Sequence, residues 1–386
     1  MAIVSIVVPT KNRYFYLKKL IKVIDAFENK NLLEVVIQDN TENNSEILDF
    51  LHDNIFPFVK YYHVKEPLPI SKNSDLAIRN SSCEYVSFIG DDDGVTQYVI
   101  DCVKWMMENN IECVVPDGFR YRWNDSENSV GIMKTGSFSY KKISYRMHKI
   151  KVADVLEECM KDGFISRGNL PMLYHGIVKR SVIDKIWDTC GSYFPGASPD
   201  IANGVALCFV LNEYYKADFP FVYSGASKHL GGGAVRLKHR ATDNFKDLPF
   251  LPADIENKWC PKIPKVWSGC TIWCESSVEA INSMHKDELL DQINFENLYT
   301  EFVAFHYYYR AYALKLTSNK LKLLVKSYFR RIKHYYQSIK KIIKIKIFGN
   351  SVVDGFTTIY GLNDIIDANK FIESKSKNLE RSIIVE

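Results

Sequence analysis

No stretch of this chain approaches the ~20 consecutive apolar residues that cross a bilayer, which excludes a membrane-spanning helix. Residues Met1 to Pro9 lack a basic leader and reach Thr10-Lys11-Asn12-Arg13 at once, which is not the pattern of a secretory signal. Nine cysteines occur without one CxxC pair. An odd count without repeated spacing argues against a disulfide framework and for reduced cytosolic thiols. Cys260, Cys270 and Cys274 lack a fourth ligand at metal spacing and read as packing residues rather than a zinc knot. Gly231-Gly232-Gly233 lacks both the Walker and the GxGxxG spacing, so it is no phosphate loop of those kinds. One further absence is local: residues 302–353 hold no acidic residue.

What remains is ordinary for a globular protein: 386 residues, 46% hydrophobic and 25% charged. The length suits a catalytic domain of roughly 200–250 residues with an added module. The acid-free stretch carries twelve Lys/Arg between Arg310 and Lys346. With those set aside from the 50, the other 38 basic residues face 46 acidic ones, a balance of −8. A mildly acidic body therefore bears a strongly basic arm, which suits an anionic partner or docking on the body itself.

The first third alternates strands and helices. Strands are expected at Ile3–Val8, Leu33–Ile37, Phe58–His63, Tyr85–Ile89 and Glu112–Val115, with helices at Tyr14–Phe27, Ser45–Leu51, Lys72–Arg79 and Tyr98–Met107. This predicts an α/β fold with a mostly parallel sheet covered by helices on both faces. Ligands bind beyond the carboxyl ends of such strands. Three polar clusters fall there: Thr10-Lys11-Asn12, Asp39-Asn40 and Asp91-Asp92-Asp93. Adjacent carboxylates repel, so the last cluster calls for a cation. Mg²⁺ or Mn²⁺ takes hard oxygen ligands and is often held by one or two carboxylates plus substrate phosphates. Gly90 and Gly94 let the backbone turn sharply around the triple.

Ser5-Ile6-Val7-Val8-Pro9-Thr10-Lys11-Asn12-Arg13 resembles the opening of family 2 glycosyltransferases, enzymes of the GT-A fold. Glu34 to Thr41 resembles their second strand with its Asp-Asn element, and Ile70 to Asp93 their helix, strand and DxD metal motif. The resemblance covers about the first 115 residues. It implies sugar transfer from a nucleotide-diphosphate sugar, a UDP-sugar foremost, with Mn²⁺ or Mg²⁺ on the diphosphate. Asp93 and Asp91 are the implied metal ligands, and Asp91 and Asp92 also lie at the donor. Pro9, Thr10, Asn12, Arg13 and Asp39 would line the nucleoside site, and Lys72 would meet phosphate or another part of the donor, a solvated helix lysine being the alternative. His229, in a glycine-rich loop, would be a late metal ligand.

An inverting transfer needs a base for the acceptor hydroxyl. Ser198-Pro199-Asp200 before the apolar run Ile201–Leu211 places Asp200 in the first turn of a helix. In the family a carboxylate at such a helix start is the catalytic base, usually within a Glu-Asp pair that Ser-Pro-Asp here replaces. The alternative is that Asp200 only complements the helix dipole. His175, at the entry to the acceptor half, is the candidate acceptor-binding residue.

In the arm, Leu321, Val325, Tyr328, Ile332, Tyr335, Ile339 and Ile342 recur at steps of four and three, an apolar helical stripe flanked by positive charge only. That pattern disfavours a coiled coil and suits an anionic membrane surface; packing on the body is the other reading. No nucleic-acid module is visible. The expected organisation is a catalytic domain over 1–240 (donor half 1–115, acceptor half 116–240), a connecting helical segment over 241–300, the basic helical arm over 301–349 and a tail over 350–386 without chemistry. The expected function is an inverting, metal-dependent glycosyltransferase acting on a glycan or a polyprenyl-diphosphate-linked acceptor in bacterial surface polysaccharide (O-antigen or capsule) synthesis. Its expected place is the cytoplasmic face of the plasma membrane, as a peripheral protein. A sugar-nucleotide nucleotidyltransferase and an inactive membrane-bound scaffold of the same fold are the alternatives.

Overall fold

A computed structural model describes residues 1–126, 135–228, 241–248, 250–348, 352–353, 355–376 and 382–386. Its larger sheet has nine strands. From one edge these are β3 (Val59–His63), β2 (Leu33–Asp39), β1 (Val4–Thr10), β4 (Tyr85–Phe88), β10 (Ile177–Lys179), β6 (Cys113–Pro116), β11 (Glu213–Ala217), β9 (Arg146–Lys151) and β15 (Ile384–Val385). β1 to β4 run parallel; β10 is inverted between β4 and β6. β1 and β2 are buried along almost their whole length, as β-branched runs inside a covered sheet must be. Pro9 lies beyond the last β1–β4 pair, Val7 with Phe88, so its missing N–H costs that ladder nothing.

A second sheet of six strands orders β5 (Gly94–Val95), β12 (Val222–Ala226), β7 (Arg120–Arg122), β8 (Ser137–Tyr140), β14 (Phe356–Tyr360) and β13 (Val352–Val353). Here the structure departs from the expected tail. β14 completes this sheet against β8, and β15 adds to β9 of the larger one. Between them the helix Ile365–Ser376 buries Ile365, Ala368 and Ile372 in the core shared with Tyr98 and Tyr223. Residues 355–376 and 382–386 are thus built into the body of the two sheets. The physical reason is that short strands acquire meaning only when paired, and their partners lie more than 200 positions earlier.

The α/β class, the mostly parallel central sheet and the C-terminal helical region are as expected. The segment after residue 241 is no loose connection. Its helix Gly269–Ser283 opens on a capping box in which Ser268 and Thr271 satisfy each other's backbone. Cys270 and Cys274 are packed inside the core. That helix supports the Pro199–Leu207 helix: Ser198 N donates to Ser276 Oγ at 2.8 Å.

Glu275, on the same helix, is 5% exposed and takes both its oxygens to the Cys260 N–H at 3.1 and 3.0 Å. It borders a cavity of about 460 Å³ that also includes Lys258 and Glu279. Burial pushes its carboxyl from 4.5 up to about 7. The folded protein therefore keeps a proton that the unfolded chain releases near pH 4.5. The stability this group contributes is full below that pH and is lost as pH rises towards 7, by at most about 3 kcal/mol. Urea unfolding across this pH range should show that slope in the wild type and a flatter profile in Glu275→Gln.

Candidate functional site

The site forms where β1, β2 and β4 end. Thr10 closes β1; Asn12 takes a left-handed turn (φ 59°), donating its N–H to Thr41 Oγ1 at 2.8 Å. That turn swings Arg13, at the start of the helix Tyr14–Asp25, across to the acid triple. Thr10 Oγ1 donates to Asp91 Oδ2 at 2.6 Å. Arg13 spans two carboxylates: its Nε lies 3.0 Å from Asp91 Oδ1 and its Nη2 2.7 Å from Asp92 Oδ2. Asp92 Oδ2 also accepts from Ser227 Oγ at 2.6 Å, and the Asp92 carbonyl accepts from Trp123 Nε1 at 2.8 Å.

Asp93 is placed differently. Its Oδ2 accepts from the Gly90 N–H at 2.6 Å and meets His175 Nε2 at 2.8 Å; its Oδ1 accepts from the Gly225 N–H at 2.7 Å. It is fully buried. Gly225 is a glycine by necessity, since a Cβ there would lie 1.7 Å from the Asp92 carbonyl oxygen. His175, the expected acceptor-binding residue, reaches Asp93 from a left-handed backbone (φ 68°).

The electrostatics separate the three carboxyls. Burial pushes Asp91 up to about 7 against the pull of Arg13, and burial likewise raises Asp92. For Asp93 burial is overcome by His175 and the two backbone N–H groups, which hold its carboxyl below the usual range. One guanidinium thus stands against two carboxylates, Asp91 and Asp92, and leaves them short of positive charge. Asp91 Oδ1 and Arg13 Nε, although 3.0 Å apart, are both buried without a hydrogen bond of proper geometry.

These facts test the implied dication. Among the described residues no three His, Cys, Asp or Glu gather to hold a metal. The oxygens of Asp93, the expected metal ligand, are bound in this structure to protein donors that anchor the turn. Asp91 and Asp92, with an unsatisfied oxygen and a deficit of positive charge, fit a cation that completes its shell from substrate phosphates. His229 lies outside the described residues.

Asp39, expected at the nucleoside site, is held by three protein donors. Its Oδ2 accepts from Tyr14 and Tyr61 hydroxyls at 2.6 and 2.7 Å, and its Oδ1 from the Thr41 N–H at 2.8 Å. It is fully buried, and its partners Tyr14 and Thr41 line the cleft beside Arg13. Lys72 is exposed on the helix Ile70–Arg79, with its charge felt at Asp75 rather than at the triple. Beside Arg13 opens a cleft of about 430 Å³, lined by Asn12, Tyr14, Phe15, Thr41 and Asp125 among others.

Asp200 stands in the first turn of the helix Pro199–Leu207, as expected. Its Oδ1 accepts from Ser198 Oγ at 2.8 Å, and Arg167 lies 3.7 Å from Oδ2. Burial raises the Tyr174 hydroxyl well above its ordinary value, and the charges of Asp93, Asp92 and Asp200 add to that rise. Ser227, Gly225 and Trp123 escaped the sequence reading. The isolated Gly225 within a strand pattern was the one available signal of a close backbone approach.

Residues 5–160 match the family model described as "Glycosyl transferase family 2". No curated protein matches the chain. Among solved structures, S. aureus TarS 1–349 in complex with UDP-GlcNAc is 15% identical with a TM-score of 0.44, covering 94% of this chain and 98% of that one. The same fragment with UDP is 14% identical at 0.42, with the same coverage. A longer S. aureus TarS chain is 16% identical at 0.42, covering 59% of this chain, which spans only 37% of that one. At these identities and scores the likeness carries no argument about donor or acceptor.

Proposed function

We propose, from the match of residues 5–160 to the glycosyl transferase family 2 model, that this chain is a glycosyltransferase that moves a sugar from a nucleotide-diphosphate sugar, a UDP-sugar foremost, to an acceptor hydroxyl with inversion. The observation that carries the reading is the cation-deficient carboxylate pair at the carboxyl ends of β1 and β4, bridged by one arginine; Asp200, at a separate helix start, is the proposed base. The cleft beside Arg13 is of a size for a nucleoside, with Phe15 exposed at its edge. Asp91 and Asp92 would hold Mn²⁺ or Mg²⁺ with the donor's phosphates; when bound, the ion supplies Lewis acidity to the leaving diphosphate. Asp200 takes the proton of the acceptor hydroxyl as that oxygen bonds to the anomeric carbon and the bond to the diphosphate breaks.

The acceptor we propose is a glycan or polyprenyl-diphosphate-linked hydroxyl in bacterial surface polysaccharide synthesis, reached at the cytoplasmic face of a membrane. No helix among the described residues is long and apolar enough to cross one. The test is a panel of nucleotide sugars with Mn²⁺, reading the phosphorus product. Release of nucleoside diphosphate supports transfer, release of pyrophosphate from nucleoside triphosphate and sugar phosphate supports the nucleotidyltransferase, and no turnover of any donor supports the scaffold.

A further inference from the structure

The basic helix Lys320–Phe348 meets the body through one face. Leu323 and Ser327 are buried there, Arg330 pairs with Glu301 at 3.2 Å and donates to Asn297 Oδ1 at 2.7 Å, and the His334 ring lies 5.0 Å from Phe305. At about 100° per residue, positions 323, 327, 330 and 334 form one stripe. The apolar stripe Leu321, Val325, Tyr328, Ile332, Tyr335, Ile339 and Ile342 falls roughly opposite it by the same geometry. The structure agrees: these side chains are between 42% and 74% exposed, and Phe329, Tyr336 and Ile343 widen the stripe. Lys320, Lys322, Lys326, Arg331, Lys333 and Lys340 are exposed along its sides. The helix thus docks by its polar back and turns its apolar front outward.

We propose that this outward face lies in the interfacial layer of an anionic membrane, with Tyr328, Ile332 and Tyr335 entering among the acyl chains and the flanking lysines meeting lipid phosphates. This deepens the reading of a membrane-borne acceptor, and rests on it only for its purpose. Charge selects the occupant. A second copy would bring two lysine-edged seams together without one carboxylate between residues 302 and 353 to relieve them. A nucleic acid would satisfy the lysines but leave an apolar front of ten large side chains in water. An anionic lipid surface satisfies both, and tyrosines suit its boundary. Because β14, the Ile365–Ser376 helix and β15 return to the body after the helix, the element is tied at both ends and fixes how the catalytic cleft faces the bilayer. Truncation from residue 317 onward would remove those returning elements as well, so point substitutions are the fair test.

The full chain should co-sediment with phosphatidylcholine vesicles containing phosphatidylglycerol at least about tenfold more strongly than with phosphatidylcholine alone, and less so in high salt. The variant Tyr328→Ser/Ile332→Ser/Tyr335→Ser should lose about tenfold of that binding while its circular dichroism, thermal midpoint and donor hydrolysis in solution stay those of wild type. Lys322→Gln/Lys326→Gln/Lys333→Gln should lose the preference for anionic vesicles. Wild type that ignores anionic vesicles, or a triple serine variant that binds as wild type does, overturns the proposal. So does a dimer in sedimentation velocity that the serine variant dissolves, which would assign the face to a second copy. Donor hydrolysis, measured without vesicles, reports separately on the glycosyl-transfer reading.

Discussion

Asp200→Asn should lower sugar transfer about 10³-fold while nucleotide diphosphate binding stays within about twofold of wild type. The change removes one proton-accepting charge and keeps the side chain's size. Ser198 Oγ can still donate to the Asn carbonyl as it does to Asp200 Oδ1 at 2.8 Å. The helix start is braced independently, by Ser198 N on Ser276 Oγ, so the site should keep its shape. Initial rates and calorimetric nucleotide titrations of both proteins check the split. Loss of transfer and of nucleotide affinity together would make Asp200 a structural residue of the helix start.

The second large effect concerns Asp93. Asp93→Ala should destabilise the protein by about 3–5 kcal/mol in the absence of any metal, because it leaves the Gly90 and Gly225 N–H groups and His175 without their buried acceptor. Asp93→Asn should recover part of this, since its amide oxygen can still accept from one N–H. Urea unfolding in chelator reads the effect directly. A simple metal ligand behaves in the opposite way: its removal leaves the metal-free protein as stable as before and weakens only cation-dependent donor binding. That outcome would support the ligand role that the DxD resemblance implies for Asp93.

This contrast shows what was legible in the residues alone. Strands β1 to β4 and the helices between them follow from apolar periodicity and sit within a few residues of the structure, because buried parallel strands write continuous β-branched runs. The acid triple announced itself by composition and by its place after β4. Its division of labour did not. The partners that set each carboxylate apart, His175, Gly225 and Ser227, lie 82 to 135 positions away, and nothing local to Asp91-Asp92-Asp93 encodes them. Asp39 went the same way: its motif was visible, but Tyr14 and Tyr61 claim it through contacts that only the folded sheet creates. The arm's stripe was legible as a period, though a period cannot say whether the apolar front meets the body or turns from it. The Leu323, Ser327 and Arg330 contacts supply that answer.

The proposed mechanism centres on a dication shared by Asp91, Asp92 and a donor diphosphate, at the carboxyl ends of β1 and β4. A crystal grown with Mn²⁺ and a nucleoside diphosphate measures this most directly. Anomalous scattering should place manganese against Asp91 and Asp92, with the nucleoside in the cleft beside Arg13. Manganese on Asp93 alone, or a nucleotide seated away from that cleft with Arg13 still bridging the two carboxylates, would contradict it.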